Sequence, residues 1–183
     1  YIAASTAFIG VMAIGGSALG DATGLDTTAN YSIAIGGGAG NNASNLAGEF
    51  VIIGRDAGQK LNGTGVVHLG YEAGQYASGS YNTFVGKEAG KGGTTSAPFS
   101  TGTYNTAVGS QAMENFTTGF SNVAVGSNAL FQDTTGQYNV AVGAGALFAN
   151  TTGQANISIG LDSLVSSQAT NNMVSIGFQA MHE

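Results

Sequence analysis

The chain has 183 residues, 43% of them hydrophobic, and a formal net charge of −6 at pH 7. Only 8% of its residues are charged, against about 25% in a typical globular domain, and it contains no cysteine. This composition excludes disulfides and thiolate metal sites, and the acidic balance argues against binding nucleic acid. No apolar run approaches the about 18 to 20 residues that would span a bilayer, so we expect no membrane insertion.

A glycine that follows a short apolar segment recurs along the chain. Its spacing is constant through the segments NTAVGSQAM, NVAVGSNAL, NVAVGAGAL and NISIGLDSL and less even in the earlier copies. A fixed period of this kind is typical of a coiled or stacked repeat architecture. Ten copies align on these predicted structural glycines: Gly15, Gly36, Gly54, Gly70, Gly86, Gly109, Gly126, Gly143, Gly160 and Gly177.

Each copy is predicted to contain one short strand. Apolar residues three and one positions before the glycine, such as Val123 and Val125, point to one face, and the residue between them points to the other. We expect the flanking valines and isoleucines to form the interior of the coil. The glycine is expected to turn the chain at a corner, with a backbone angle that a Cβ would forbid.

A copy this short cannot bury a core of its own, and no helix of 10 or more residues is predicted. We therefore expect each copy to form one turn of a coil, stacked about 4.8 Å from the next. The predicted fold is an all-β parallel β-roll or β-solenoid of about ten turns of 16 to 23 residues. It forms a single domain, 1–183, with irregular turns in 1–93, an insertion loop at 91–104 and regular 17-residue turns in 105–183.

So short a coil encloses little volume, and its outer strand face would therefore expose an apolar stripe. Such stripes indicate association, and rotational symmetry about a fibre axis favours a homotrimer. We predict that the small or apolar residues in the middle of the strands contact the other subunits. These are Ala34, Ile52, His68, Phe84, Ala107, Ala124 and Ala141.

The Asn-x-Ala-Val-Gly-x-x-Ala-Leu unit, present at 105–113, 122–130 and 139–147, resembles the head repeats of bacterial trimeric autotransporter adhesins. With its Thr-Thr-Gly links at 117–119, 134–136 and 151–153, the chain is more similar to repeat segments of bacteriophage tail fibres. The resemblance covers about 12–181, although Phe50 and Val66 replace the asparagine in two central copies. It implies a left-handed parallel β-roll, a homotrimeric fibre and attachment to a surface.

The function expected from this resemblance is that of a structural and adhesive fibre segment. It would belong to a phage tail fibre on the virion and attach to a host cell-surface receptor, either a glycan or an outer-membrane protein. The alternatives are a bacterial adhesin head at the cell surface and, in another class, a fibre-borne polysaccharide depolymerase. Because the chain begins at Tyr1 rather than at methionine, we expect it to be a segment of a longer protein.

Sequence signals for an enzyme are poor. Paired carboxylates can cleave glycosides, but acidic residues are sparse here and the coil is too thin for a deep cleft. His68 and His182 are the chain's two histidines, and no visible motif assembles a Ser/His/Asp set around either. We therefore expect no enzymatic activity and no cofactor.

Carboxylates occupy the same repeat position, two residues after the glycine, in three consecutive turns: Asp56, Glu72 and Glu88. With Arg55, Lys87 and Lys91 nearby, a ladder of surface ion pairs is the favoured interpretation, and a divalent-cation site is the alternative. His68 would lie near the symmetry axis of a trimer. Three copies could hold an anion or a metal there, although a packed, hydrogen-bonded neutral histidine is favoured.

The longest interval between two structural glycines of the repeat, Gly86 and Gly109, contains KGGTTSAPFSTGTY, with the single proline, Pro98. An insertion of this size must bulge from the coil, and loops on repeat scaffolds commonly carry function. Aromatic side chains near it suit sugar stacking or protein contact, although they could equally cover the core. The candidate receptor contacts are Tyr76, Tyr81, Phe99 and Tyr104.

Overall fold

A computed structural model of the chain describes residues 10–20, 32–44, 49–96 and 99–182. These residues form ten short strands and contain no α-helix. The strands are β1 (Met12–Ile14), β2 (Ile33–Ile35), β3 (Phe50–Ile53), β4 (Val66–Leu69), β5 (Thr83–Val85), β6 (Thr106–Val108), β7 (Val123–Val125), β8 (Val140–Val142), β9 (Ile157–Ile159) and β10 (Val174–Ile176).

All ten strands belong to one parallel sheet, in which each strand pairs with the next along the chain. Equivalent residues pair in register, as in the row that joins Ala107, Ala124 and Ala141. The fold is therefore a β-solenoid of about nine turns. At about 4.8 Å per strand, the sheet is roughly 43 Å long. Each strand ends at the glycine identified from the sequence, so the predicted strand positions are confirmed.

The prediction of which strand face lies inside is wrong. Ala124, in the middle of β7, has 0% exposure, whereas Val125 beside it is 37% exposed. The interior of so thin a coil takes one side chain from the middle of each strand, and the two flanking side chains lie outside. The predicted subunit contacts are all buried within the single chain and cannot contact another one: Ala34, Ile52, His68, Phe84, Ala107, Ala124 and Ala141.

In most turns the interior is filled by a size exchange between two positions. In the turns of β6 to β9, where the middle of the strand is small, as at Ala124, the residue four positions after the corner glycine is large and buried, as at Leu130. The turn of Ala34 departs from this, since Gly40 occupies that position and lies beside Leu19 of the preceding turn. Where the middle is large, that position is glycine: a Cβ on Gly74 would lie 2.4 Å from the His68 ring, and one on Gly90 2.4 Å from Phe84. The turns therefore keep a similar interior volume with different sequences, as close packing requires.

The corner glycine has the role predicted for it. Gly126 has a φ of +136°, and a Cβ there would lie 2.5 Å from the backbone of Gly143 in the next turn. Two further positions of each turn are left-handed without being restricted to glycine, such as Asn128 (φ 57°) and Leu130 (φ 51°). A left-handed non-glycine residue costs about 1–2 kcal/mol. Interior burial of Leu130 offsets this cost, since a buried leucine side chain contributes about 1.5–3 kcal/mol.

Candidate functional site

The outer face of the sheet is an apolar stripe that follows the whole rod. It is formed by the flanking side chains of the strands, which are half-buried to exposed: Val108 is 37% exposed, Ile159 39% and Ile176 66%. Thr83 and Thr106 are the polar members of the stripe. Monomeric proteins rarely expose an apolar surface that extends over ten strands, so this face is a candidate surface for association.

His68 lies in the interior rather than on an outer surface. Its ring is completely buried and stacks on Phe84, with ring centroids 5.0 Å apart and planes 16° from parallel. Burial lowers its pKa to about 3, so the ring is neutral at physiological pH. The favoured prediction of a packed neutral histidine agrees with this geometry, except that neither ring nitrogen has a hydrogen-bond partner. Such a position cannot hold an ion shared between subunits.

The three stacked carboxylates form ion pairs with basic side chains. Lys91 lies between two turns, with its Nζ 2.6 Å from Glu72 Oε2 and 3.8 Å from Glu88 Oε1. Arg55 contacts Asp56 at 3.1 Å, and its guanidinium lies 5.3 Å from the centre of the Tyr71 ring. Within the described part of the chain, no group of three or more acidic or histidine side chains is arranged to hold a metal ion. The arrangement therefore agrees with the ion-pair ladder.

Lys91 also determines the ionisation of its neighbours. Burial opposes ionisation of Glu72, but hydrogen bonds from Lys91 and Tyr71 outweigh it and hold the pKa of Glu72 below its ordinary value. Burial, and then the Glu88 charge, raise the pKa of Glu114 in the following turn. Lys91 thus neutralises part of a carboxylate column that would otherwise repel itself.

The structure brings the four candidate receptor contacts together as two aromatic pairs on neighbouring turns. Tyr81 and Tyr104 stack with ring centroids 5.0 Å apart and planes 12° from parallel. Tyr76 and Phe99 stack less closely, at 6.4 Å and 17°. Tyr81 is 51% exposed and Tyr104 is 60% exposed, so these two rings do not serve as cover for the core.

The insertion departs from the coil over a shorter stretch than 91–104. Gly93 N donates to Phe116 O, and Thr101 N donates to Thr117 O, so both ends of the segment follow the ladder of the next turn. Ser100 is buried and donates its hydroxyl to Phe116 O at 2.8 Å. Pro98 lies outside the described residues.

A buried column of asparagines supports the sheet. These residues were identified from the sequence as part of the repeat, but no role was predicted for them. Asn139 Oδ1 accepts a hydrogen bond from Asn156 N at 3.0 Å, and its Nδ2 donates to Gly153 O at 2.8 Å. The same pair of bonds repeats along the column: Asn82, Asn105, Asn122, Asn139 and Asn156. Their recurrence four residues before the corner glycine was the signal available in the sequence.

Sequence reasoning also missed Asp133, a completely buried carboxylate. Its Oδ1 accepts from Gly136 N and Asn150 Nδ2, both at 3.0 Å, and its Oδ2 accepts from Asn122 Nδ2 at 3.3 Å. Burial nevertheless raises its pKa to about 7. Because the equivalent residue one turn earlier is Phe116, which is also buried, alignment of the turns could have placed Asp133 inside.

Comparison with protein-family models, with curated proteins and with solved structures gave no match for this chain. Among the residues that the structure describes, none belongs to a helix with the length and apolarity needed to cross a membrane.

Proposed function

We propose that this chain is a structural and adhesive segment of a homotrimeric fibre, with three copies packed along the outer face of the sheet. The observation that carries the proposal is the apolar stripe on that face, which extends over all ten strands. Three such faces, turned toward a common axis, would remove their valines and isoleucines from water. Burial of apolar area contributes about 25 cal/mol per Å².

Because of the resemblance of its repeat, the first proposal is that the fibre belongs to a phage tail on the virion. The second is that it belongs to a bacterial adhesin head at the cell surface. The partner proposed for it is a receptor on a host cell surface, either a glycan or an outer-membrane protein. A left-handed coil is the handedness that the resemblance implies. Stacked turns joined by in-register strands would make the segment a stiff rod suited to holding a receptor contact away from its base.

The two aromatic pairs are the proposed receptor contacts; Tyr81 and Tyr104 are exposed, and Tyr76 and Phe99 are half-buried. Exposed tyrosines present flat apolar faces with polar edges, a combination common in recognition surfaces. Tyr81 and Tyr104 are preorganised by stacking on each other, so binding costs little side-chain ordering.

Attachment is tested by incubating the fluorescently labelled protein with a panel of bacterial strains. We expect the wild type to bind at least one strain, and the double variant Tyr81→Ala/Tyr104→Ala to lose most of that binding. Ser110→Ala/Ser127→Ala, at equivalent exposed positions of neighbouring turns, is the control and should bind as the wild type does. Equal binding by both variants would contradict the aromatic contact, and shortening of a host polysaccharide during incubation would favour the depolymerase alternative.

A further inference from the structure

The outer face of the sheet has two long borders that follow the rod, one just before the strands and one just after them. The leading position, five residues before the corner glycine, is exposed at Glu49, and the trailing position, one residue after the glycine, is exposed at Arg55. Further along the rod the same two positions are exposed at Tyr104 and Ser110. Both borders are therefore accessible to another chain.

The proposed fibre sets these two borders against each other. The strands run across the rod, so three sheets turned toward a common axis form the sides of a triangular prism. At each corner the trailing border of one copy then meets the leading border of the next. Closed rotational symmetry allows no shift along the axis, so equivalent turns meet at the same height. Arg55 of one copy is thereby placed opposite Glu49 of its neighbour, and Tyr71 opposite Gly65.

The leading border has a cleft at β3 and β4. Its volume is about 250 Å³, below the about 300–1,000 Å³ typical of small-molecule sites and of a size for a single side chain. Gly65 carries no side chain at the position that Tyr81 occupies one turn later. The Tyr81 ring bounds Gly65 on the side of that next turn, where a Cβ on Gly65 would lie 2.7 Å from Tyr81 Cδ1. The cleft is lined by Glu49, Phe50, Val51, Gly65, Val66 and Val67.

The trailing border of the same two strands carries side chains that complement this cleft. Tyr71 is 36% exposed, and the Arg55 guanidinium lies 5.3 Å from the centre of its ring. Arg55 pairs with Asp56 in its own chain, but a guanidinium has five N–H donors and can also bond a second carboxylate. Among the residues that the structure describes, no basic side chain forms an ion pair with Glu49.

We propose that the cleft at Gly65 receives the Tyr71 ring of a neighbouring copy of this chain, with Arg55 of that copy paired to Glu49 at its mouth. The ring fills an apolar space that one chain leaves empty, and the two unlike charges meet at the rim. The inference rests on the proposed function, because it names the residues that join the copies of the fibre and the direction in which they join.

Side-chain size along the two borders agrees with this pairing. In four of the turns from β3 to β9, a large side chain on one border is matched by a small residue on the other. The leading and trailing members are Gly65 and Tyr71, Tyr104 and Ser110, Tyr138 and Ala144, and Ala155 and Leu161. Because Ser110 is small, the Tyr104 ring keeps an accessible edge at the corner, as its proposed receptor contact requires. Two chains related by a two-fold axis across the rod would set equivalent turns at different heights and lose these matches.

The contact is tested by disulfide cross-linking, for which the chain offers a clean background because it has no cysteine. In Glu49→Cys/Arg55→Cys, strand β3 holds the two positions about 10 Å or more apart within one chain, too far for an internal disulfide. Mild oxidation should therefore join different copies and give a covalent species of three times 18.1 kDa on a non-reducing denaturing gel.

Glu49→Cys/Ser127→Cys is the matched control. Ser127 is an exposed trailing residue four turns further along the rod, about 19 Å away, so this variant should remain at the mass of one chain on the gel. Each single cysteine variant should do the same, because the contact joins two different positions rather than two copies of one position.

The cleft itself is tested by Tyr71→Ala, with circular dichroism to verify the fold. The protein concentration at which half of the assembly dissociates should rise about tenfold or more, because the ring leaves the cleft empty. Tyr71→Phe keeps the ring without its hydroxyl and should assemble as the wild type does.

The inference is overturned if Tyr71→Ala assembles as the wild type does, or if Glu49→Cys/Ser127→Cys cross-links as well as Glu49→Cys/Arg55→Cys. A wild type that is trimeric in solution, together with no cross-link in Glu49→Cys/Arg55→Cys, would reject this contact and leave the proposed fibre standing. A covalent dimer without trimer would support the contact and reject the homotrimer. A monomeric wild type would reject both.

Discussion

Asp133 and His68 are both buried ionisable residues, and their effects on stability have opposite signs. The pKa of Asp133 is raised from 3.8 to about 7, so the folded state favours its protonated form. Its contribution is fully present below pH 4 and is lost as the pH rises toward 7. The pKa of His68 is lowered from 6.5 to about 3, so its contribution is present above pH 6.5 and is lost as the pH falls. In the wild type the two trends partly cancel.

The variant Asp133→Asn removes the pH-dependent contribution of Asp133 and leaves that of His68. Relative to the wild type, its free energy of unfolding should increase as the pH rises from 4 to 8, by on the order of 4 kcal/mol in total. Denaturant unfolding followed by circular dichroism at several pH values measures the difference. Thr135→Ala removes no ionisable group, lies at an exposed position and should show no comparable trend. A difference between Asp133→Asn and the wild type that does not change with pH would contradict the buried-carboxylate account.

The side chain in the middle of the strand and the side chain four residues after the corner glycine share one interior volume. Gly74→Leu alone should clash with the His68 ring, and His68→Ala alone should leave a cavity, so each variant should be destabilised by about 2–4 kcal/mol. The double variant recreates the Ala124/Leu130 combination and should be at least about 2 kcal/mol more stable than the sum of the single effects predicts. Additive losses in denaturant unfolding would show that the two positions do not share one interior volume.

At the scale of the strand and its connections, the asparagine column links each turn to the next. Each asparagine side chain of the column accepts from a backbone N–H of the following copy and donates to a backbone carbonyl, as Asn122 and Asn139 do. Strands of three or four residues make few ladder bonds of their own, so these side-chain bonds extend the pairing beyond the strand ends. The Thr134 hydroxyl adds a similar bond to Thr151 O at 2.9 Å in the connection.

Removal of one member of the column should therefore be costly. Asn139→Ala leaves the N–H of Asn156 without its partner and leaves Gly153 O with a single 3.4 Å bond from Asn150 Nδ2, and we expect a loss of about 2–3 kcal/mol. Thr135→Ala, at an exposed position of the same turn, should change stability by less than about 0.5 kcal/mol. Thermal or denaturant unfolding of the two variants makes the comparison. Equal stabilities would mean that water or a neighbouring side chain replaces the lost bonds.

The sequence predicted the strands and their order well because glycine spacing and two-residue alternation report directly on backbone geometry. The ten strands end at the ten predicted glycines, and their parallel stacking follows from the repeat. Which face lies inside could not be obtained from alternation, since both Ala124 and its valine neighbours are apolar. The sequence does show that the position of Leu130 is glycine in other turns, at Gly74 and Gly90. Only the structure shows that this position faces the middle of the strand.

The candidate site was predicted less completely for a similar reason. The carboxylate ladder was found because equivalent positions of the turns stack, and the tyrosines were found because they lie near the insertion. The contact between Phe120 and Tyr138 was missed, because neither residue lies near the insertion. Asp133 was missed because a charged residue in a connection is usually exposed, and its burial depends on the interior position that Phe116 occupies one turn earlier.

For the whole molecule, the proposed homotrimer requires that copies of the chain associate through the outer apolar face. Val125→Glu/Val142→Glu places two charges on that face, where both side chains are more than one third exposed in the single chain. The coil should remain folded, because its interior is unchanged, but the assembly should dissociate. Thr118→Glu/Thr135→Glu adds the same charges at exposed positions that are also one turn apart and should stay assembled. Sedimentation velocity compares the two, and identical behaviour would contradict the assignment of the contact face.

The most direct test of the account is the molar mass of the wild-type protein in solution, by light scattering coupled to size exclusion. Packing of three copies through the outer face predicts three times the 18.1 kDa of one chain, over a wide range of concentration. A monodisperse species of 18.1 kDa would contradict it, because the apolar stripe would then be stable in water without a partner.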